Sequence, residues 1–120
     1  MTYFTVILLS IMYGIDVNLA TSMAYIESRF DPKADSKTGD GGLFQLNKKY
    51  YKFHNPKWVY DPQINATIAM KTLQDLKQTC FHKLQKTYVL CYNLGKAGAK
   101  KIKFPHNQTY YKKLNYVWRR

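Results

Sequence analysis

The sequence predicts a mainly α domain, a compact helical bundle with a small hairpin or loop region lining a cleft. Three observations predict it. Apolar residues recur at helical spacing in separate runs, Ala20, Met23 and Ala24 in one and Ile64, Ile68, Leu73 and Leu76 in another. Start signals precede both runs, Asp16 before the first and Asp61-Pro62 before the second. Between them lies a polar segment holding Gly39, Gly41 and Gly42, whose backbone freedom suits a tight hairpin or a groove-lining loop. With 120 residues, 46% of them hydrophobic, the chain has room for one small domain, residues 1–120, and too much apolar content for disorder.

Residues Phe4 to Met12 are almost wholly apolar. The run is too short to span a bilayer, has no Lys or Arg before it and lacks a small-x-small cleavage site, so it reads as a core helix ending at Tyr13-Gly14 rather than a signal peptide. No transmembrane segment is expected. In the next helix, capped by Asp16, the inward stripe of Ala20, Met23 and Ala24 continues to Glu27. A carboxyl group there loses solvation and lies near the negative end of the helix dipole. Both effects favour the protonated form that a general acid needs. The plainer reading is a partly exposed glutamate at a helix end. Phe30 reads as an apolar anchor closing this helix, and Asp31-Pro32 as its stop. Gly42-Leu43-Phe44-Gln45 follows the polar segment as the wall of a cleft, with Gln45 offering a donor and acceptors to sugar hydroxyls and acetamides.

The stretch Lys48 to Tyr60 mixes aromatic and basic residues. It admits core packing, glycan contact through aromatic faces with lysines drawing in an anionic polymer, or single-stranded nucleic-acid binding, ranked in that order on composition. Asp61-Pro62 then opens a helix running to about Lys77. Leu84 to Leu94 reads as another helix, stopped by Gly95 and Gly98, and Pro105 to Arg120 as a last one with Tyr110, Leu114 and Val117 on one face. The terminal Arg119 and Arg120 read as solvated. A formal charge of +12, from 19 basic and 7 acidic residues, makes an acidic polymer the natural partner. Nucleic acid, anionic lipid and bacterial cell wall all qualify. Cys80 and Cys91 are the only cysteines, and with His54, His82 and His106 scattered there is no ligand cluster for zinc; no cofactor is called for.

Three ordered motifs, Glu27-Ser28-Arg29-Phe30-Asp31-Pro32, then Gly41-Gly42-Leu43-Phe44-Gln45-Leu46-Asn47, then Cys91-Tyr92-Asn93-Leu94-Gly95, resemble those of the soluble lytic transglycosylase (SLT) domain. That family belongs to the lysozyme-like superfamily, an α+β class, and is close to goose-type lysozyme. The resemblance covers roughly Tyr13 to Trp118. It implies that Glu27 is the catalytic acid, and that Ser28, Gly42, Leu43, Phe44, Gln45, Tyr92 and Asn93 bind substrate or shape its cleft. A family tyrosine at the start of the last helix corresponds to Tyr110, although the usual Glu-Thr ahead of it is missing and Tyr111 is adjacent. Asn65 matches an Asn-rich helix start. Phe44 replaces a common Met, Ala69 a common Gly, and Cys91 a small Ala, which favours a buried free thiol over a disulfide at that position. The formal glycosylation sequons at Asn65 and Asn107 are not expected to carry sugar in a bacterial or phage setting.

The resemblance implies cleavage of peptidoglycan glycan strands between N-acetylmuramic acid and N-acetylglucosamine, with formation of a 1,6-anhydro ring. Glu27 serves as acid and then as base. A goose-type-lysozyme-like hydrolase is the alternative; it needs a second carboxylate about 5 to 9.5 Å from the first. Asp31, Asp35 and Asp40 are the candidates. Asp31 is taken up by the turn before Pro32, and Asp40 is the one placed to hold a water. An inactive wall-binding or virion structural protein is the alternative of another class. The implied place of action is the bacterial cell wall, from the periplasm or the extracellular face. With no convincing secretion signal in the sequence, a wall enzyme is expected to arrive as part of a phage particle, by another export route or after removal of a leader. The first is favoured, which makes phage tail or virion proteins, or a secretion machine, the candidate partners, and no specific nucleic acid is expected. Oligomeric state is not legible.

Overall fold

The computed structural model describes residues 2–118. Five α-helices and one two-stranded hairpin are formed among them: α1 (Thr2–Met12), α2 (Val17–Ser28), β1 (Asp40–Gly41), β2 (Leu46–Asn47), α3 (Pro62–Thr79), α4 (Val89–Lys100) and α5 (Thr109–Trp118). Single 3-10 turns at Pro56–Tyr60, Leu84–Lys86 and Pro105–Asn107 precede α3, α4 and α5. The chain is therefore mainly α with a small antiparallel hairpin, as the sequence predicts for a lysozyme-like fold. Arg119 and Arg120, expected to be solvated, lie outside the described residues. Contacts group the chain into two units, Met1–Met70 and Lys71–Arg120.

In the first unit, α1 packs on α2. Val6, Leu9 and Ser10 turn inward, but Phe4, Leu8, Ile11 and Met12 are exposed, so the expected core helix buries only one side. Apolar residues lie on both sides of this helix, so composition alone does not say which side faces inward. Asp16 caps α2 as predicted, its carboxylate accepting the Leu19 N–H at 3.0 Å. The stripe of Ala20, Met23 and Ala24 is fully buried. The hairpin pairs Asp40 with Asn47 and Gly41 with Leu46, and Gly42 to Gln45 connect the strands. At the start of α3 the Asp61 carboxylate accepts the Ile64 N–H at 2.9 Å, and Pro62 takes the first helical position. The buried face of α3 is Asn65, Ala66, Ala69, Met70, Leu73 and Leu76, whereas Ile64 and Ile68 are only half-buried.

In the second unit, α4 begins later than the sequence suggests. Gln85 and Lys86 take left-handed backbone (φ 53° and 65°), which no regular helix accommodates. Gly95 also departs from helical geometry (φ 77°, ψ 160°), yet it interrupts the helix instead of ending it, and α4 resumes to Lys100. Glycine alone adopts that conformation at little cost, so the break falls one turn past Tyr92. Cys80 and Cys91 form a disulfide, with Cα atoms 6.0 Å apart. This overturns the free-thiol expectation: Cys80 follows the last turn of α3, Cys91 lies in the first turn of α4, and the connection folds back between them.

Candidate active site

Glu27 is the next-to-last residue of α2 and is half-buried. The helix ends there because Arg29 and Phe30 both enter the left-handed region (φ 53° and 63°). The Arg29 N–H donates to the Tyr25 carbonyl at 2.8 Å, and the Phe30 N–H reaches back six residues to Ala24 at 3.5 Å, a Schellman closure made without glycine. A left-handed residue bearing a Cβ costs roughly 1–2 kcal/mol. Aromatic packing holds the turn: the Phe30 ring meets Tyr3 and Tyr25 at centroid distances of 5.5 and 6.4 Å, and the Arg29 guanidinium lies 5.4 Å over the Tyr25 ring. Asp31 accepts the Lys33 N–H at 2.9 Å, so it belongs to the turn, as the sequence indicates.

Ser28 links this helix end to the glycine-rich wall. Its hydroxyl donates to the Leu43 carbonyl at 2.7 Å, with the Ala24 carbonyl 3.1 Å away. The Leu43 and Phe44 side chains are expected in the groove wall; both are fully buried and lie beneath it. What Gly42 to Gln45 can offer outward is backbone and the Gln45 amide. Gln45 is itself left-handed (φ 52°), and its amide nitrogen donates to the Gly42 carbonyl at 2.9 Å and the Ala34 carbonyl at 3.2 Å. Both amide hydrogens are thereby engaged, which leaves Oε1, an acceptor, to meet a ligand.

The residue that fixes this wall is Asn65. It is wholly buried in the first turn of α3. Its Oδ1 accepts the Phe44 N–H at 2.8 Å, while its Nδ2 donates to the Val59 carbonyl at 2.8 Å and the Gly41 carbonyl at 3.1 Å. Gly42 is obligatory against it: φ is +80°, and a Cβ there would collide with Asn65 Nδ2 and the Val59 oxygen. The sequence marks Asn65 only as a family match and a sequon. The signal for its role is a polar residue beside the inward Ala66 and Ala69 near the helix start. Burial also removes it as a glycosylation acceptor.

The carboxylates of the loop have other work. In Asp40, Oδ2 accepts the Thr38 hydroxyl at 3.2 Å and Oδ1 the Asn47 amide at 3.3 Å, so both oxygens brace the hairpin. Asp35 accepts the Tyr60 hydroxyl at 2.6 Å and Lys48 Nζ at 2.9 Å. Those two hydrogen bonds, Tyr60's above all, hold its carboxyl below the usual range, and the Asp35 bond raises Lys48. The Lys48 to Tyr60 stretch divides: Val59 is core and Tyr60 joins Asp35, whereas Tyr50 and Trp58 stay exposed. In the second unit, Tyr92 is half-buried and Asn93 exposed, both in the turn of α4 before the Gly95 break, and Tyr110 is buried in the first turn of α5. The adjacent Tyr111 donates its hydroxyl to the Gln85 carbonyl at 2.8 Å. Among the described residues no cluster of His, Cys, Asp or Glu could hold a metal ion, and no helix is long and apolar enough to cross a membrane.

The family model for the transglycosylase SLT domain matches residues 5–115. No curated protein matches the chain. The match runs through all three motifs, the hairpin, α2, α3 and α4 in full and most of α1 and α5, so the chain belongs to the transglycosylase SLT domain family, whose members cleave peptidoglycan by lytic transglycosylase-type activity.

Proposed function

We propose that this protein is a lytic transglycosylase acting on the β-1,4 bond between N-acetylmuramic acid and N-acetylglucosamine, with Glu27 as its one catalytic acid and base. The observation that carries the reading is the fixing of Glu27 at the end of α2. The helix is closed by two left-handed residues and tied through Ser28 to the Gly42–Gln45 wall. A general acid needs such fixed placement, because proton transfer requires the donor within hydrogen-bond reach of the leaving oxygen. Glu27 protonates the glycosidic oxygen, and the bond breaks through an oxocarbenium-like state that the substrate's N-acetyl oxygen can stabilise. The Glu27 carboxylate then takes the proton of the muramyl C6 hydroxyl, whose oxygen closes on C1. The proton given equals the proton taken, and no water is consumed. Gln45 Oε1 is assigned to a substrate donor, and the exposed faces of Tyr50 and Trp58 suit pyranose rings. The roles of Tyr92, Asn93 and Tyr110 rest on the resemblance.

Hydrolysis would require Asp40 to hold a water while its two oxygens brace the hairpin through Thr38 and Asn47, whereas transglycosylation needs no second carboxylate. The Cys80–Cys91 disulfide supports action outside the reducing cytoplasm, where a wall enzyme works. The match through both units supports treating residues 1–120 as one functional domain. Mass spectrometry of products from purified peptidoglycan tests the proposal. Wild type should release products lighter by one water and lacking a reducing end, and Glu27→Gln should fold and release almost none. Reducing ends abolished by Asp40→Asn would establish the hydrolase instead. No release from wild type would leave an inactive wall-binding protein.

A further inference from the structure

The net charge of this protein is almost entirely in its second unit. Residues 71–120 hold twelve of the nineteen basic residues and a single acidic one, Asp75, which faces Lys96 at 3.8 Å. The first seventy residues hold seven basic and six acidic residues. Within the second unit, a groove of about 600 Å³ opens between the α3–α4 and α4–α5 connections. Phe81 and Phe104 are its apolar walls, 64% and 65% exposed. Lys83, Lys103, His82 and His106 supply its polar lining, and no lining residue is acidic. The frame is fixed from several sides. The Cys80–Cys91 disulfide clamps the segment bearing Phe81 to Thr87. His82 Nε2 lies 2.9 Å from the Ile102 carbonyl, so this nitrogen carries the proton and donates. The His106 ring meets Tyr111 edge-on at 5.0 Å.

Two exposed aromatic side chains and two lysines in one groove, with no acidic residue in its lining, suit a ligand that joins an anion to an aliphatic or flat body. We propose that this groove binds a carboxylate-bearing peptide: the acidic stems carried by the glycan strands that the protein cleaves. The carboxylate meets Lys83 and Lys103, and the peptide's aliphatic parts lie on Phe81 and Phe104. The inference rests on the proposed function, since that reading supplies the stems. A nucleic acid offers the same pairing of anion and flat face; the volume, suited to a few residues of peptide, and the wall substrate favour the peptide.

The test uses the full chain with Glu27→Gln, so that substrate persists, and measures cosedimentation with peptidoglycan sacculi and with the same strands stripped of stems by an amidase. Lys83→Glu with Lys103→Glu should weaken binding to intact sacculi roughly tenfold or more. Lys112→Glu with Lys113→Glu, an equal charge change on exposed α5 positions outside the groove, should change it little. Phe104→Ala, which leaves the charge alone, should also weaken binding to intact sacculi, and none of these variants should alter binding to stripped strands. Equal losses from the two lysine pairs, or a loss that persists on stripped strands, would overturn the peptide site. So would a fluorescent single-stranded oligonucleotide that binds tighter than sacculi and depends on the same lysines. If the parent binds neither preparation, the glycan reading itself fails; if it binds both equally, only the peptide site does.

Discussion

Asn65→Ala is the perturbation that most directly tests how the wall beside Glu27 is built. The substitution removes one acceptor and two donors at a site with no solvent access. Three buried backbone groups lose a partner: the Phe44 N–H and the carbonyls of Gly41 and Val59. A buried group left unpaired costs about 1–3 kcal/mol, the carbonyls at the lower end because each has two lone pairs. The expected loss is therefore about 3–5 kcal/mol, a large share of the roughly 5–15 kcal/mol that holds a domain of this kind together. Urea unfolding with linear extrapolation measures it, and Asn65→Asp is the informative companion. An aspartate keeps the acceptor for Phe44 but, ionised, cannot donate to the two carbonyls, so it should rescue little. A loss below about 1 kcal/mol at unchanged slope, or full rescue by Asp, would refute the reasoning, because it would mean that water or backbone movement satisfies these groups.

Gly42→Ala should destabilise at least as much as Asn65→Ala, since its Cβ collides with Asn65 and the Val59 carbonyl and the backbone is left-handed; the two changes together should fall well short of additive in a denaturation cycle. Replacing Cys80 and Cys91 by alanine opens a loop of separation 11 and should cost about 3 kcal/mol on the loop-closure model, and reductant should lower the melting temperature of wild type but not of the variant. Asp35 has a depressed folded pKa, so its contribution is present above the unfolded value of about 3.9 and is lost as pH falls through the folded one. Lys48 is raised, so its share is lost only as pH rises through the alkaline range. The gap in urea midpoint between wild type and Asp35→Asn should hold at neutral pH and close below about pH 4; a pH-independent gap would dismiss the ion pair as its cause.

What the sequence showed and what it hid divide along a physical line. The Asp16 cap, the stripe leading to Glu27, the Asp61-Pro62 start and the glycine hairpin are signals carried within a few residues, and each corresponds to a bond or burial in the structure. The disulfide depends on where the end of α3 meets the start of α4, which no spacing of two cysteines states. The inner face of α1 was hidden because apolar residues lie on its exposed side as well as its buried one, and Ser10 is among the buried residues. The start of α4 was hidden because Gln85 and Lys86 adopt a conformation that their side chains disfavour. The confinement of the charge to residues 71–120 was readable from the start; a single total for the chain conceals it.

The same misfit between residue and backbone marks the surroundings of Glu27. Arg29 and Phe30 end its helix, and Gln45 ends the segment that Ser28 ties to it; all three are left-handed without being glycine. Each conformation is locally unfavourable, so each persists only because its surroundings over-determine it: the Tyr3–Phe30–Tyr25 packing on one side, the Gln45 amide bonds and Asn65 on the other. A glycine at any of these positions would relieve the backbone and also free it to move. Side chains at these positions instead give one helix end and one wall, joined by the 2.7 Å bond from Ser28 to Leu43. The proposed mechanism has a single carboxyl group, for which such fixed placement matters, although the same kind of backbone also occurs at Gln85 and Lys86 in the second unit.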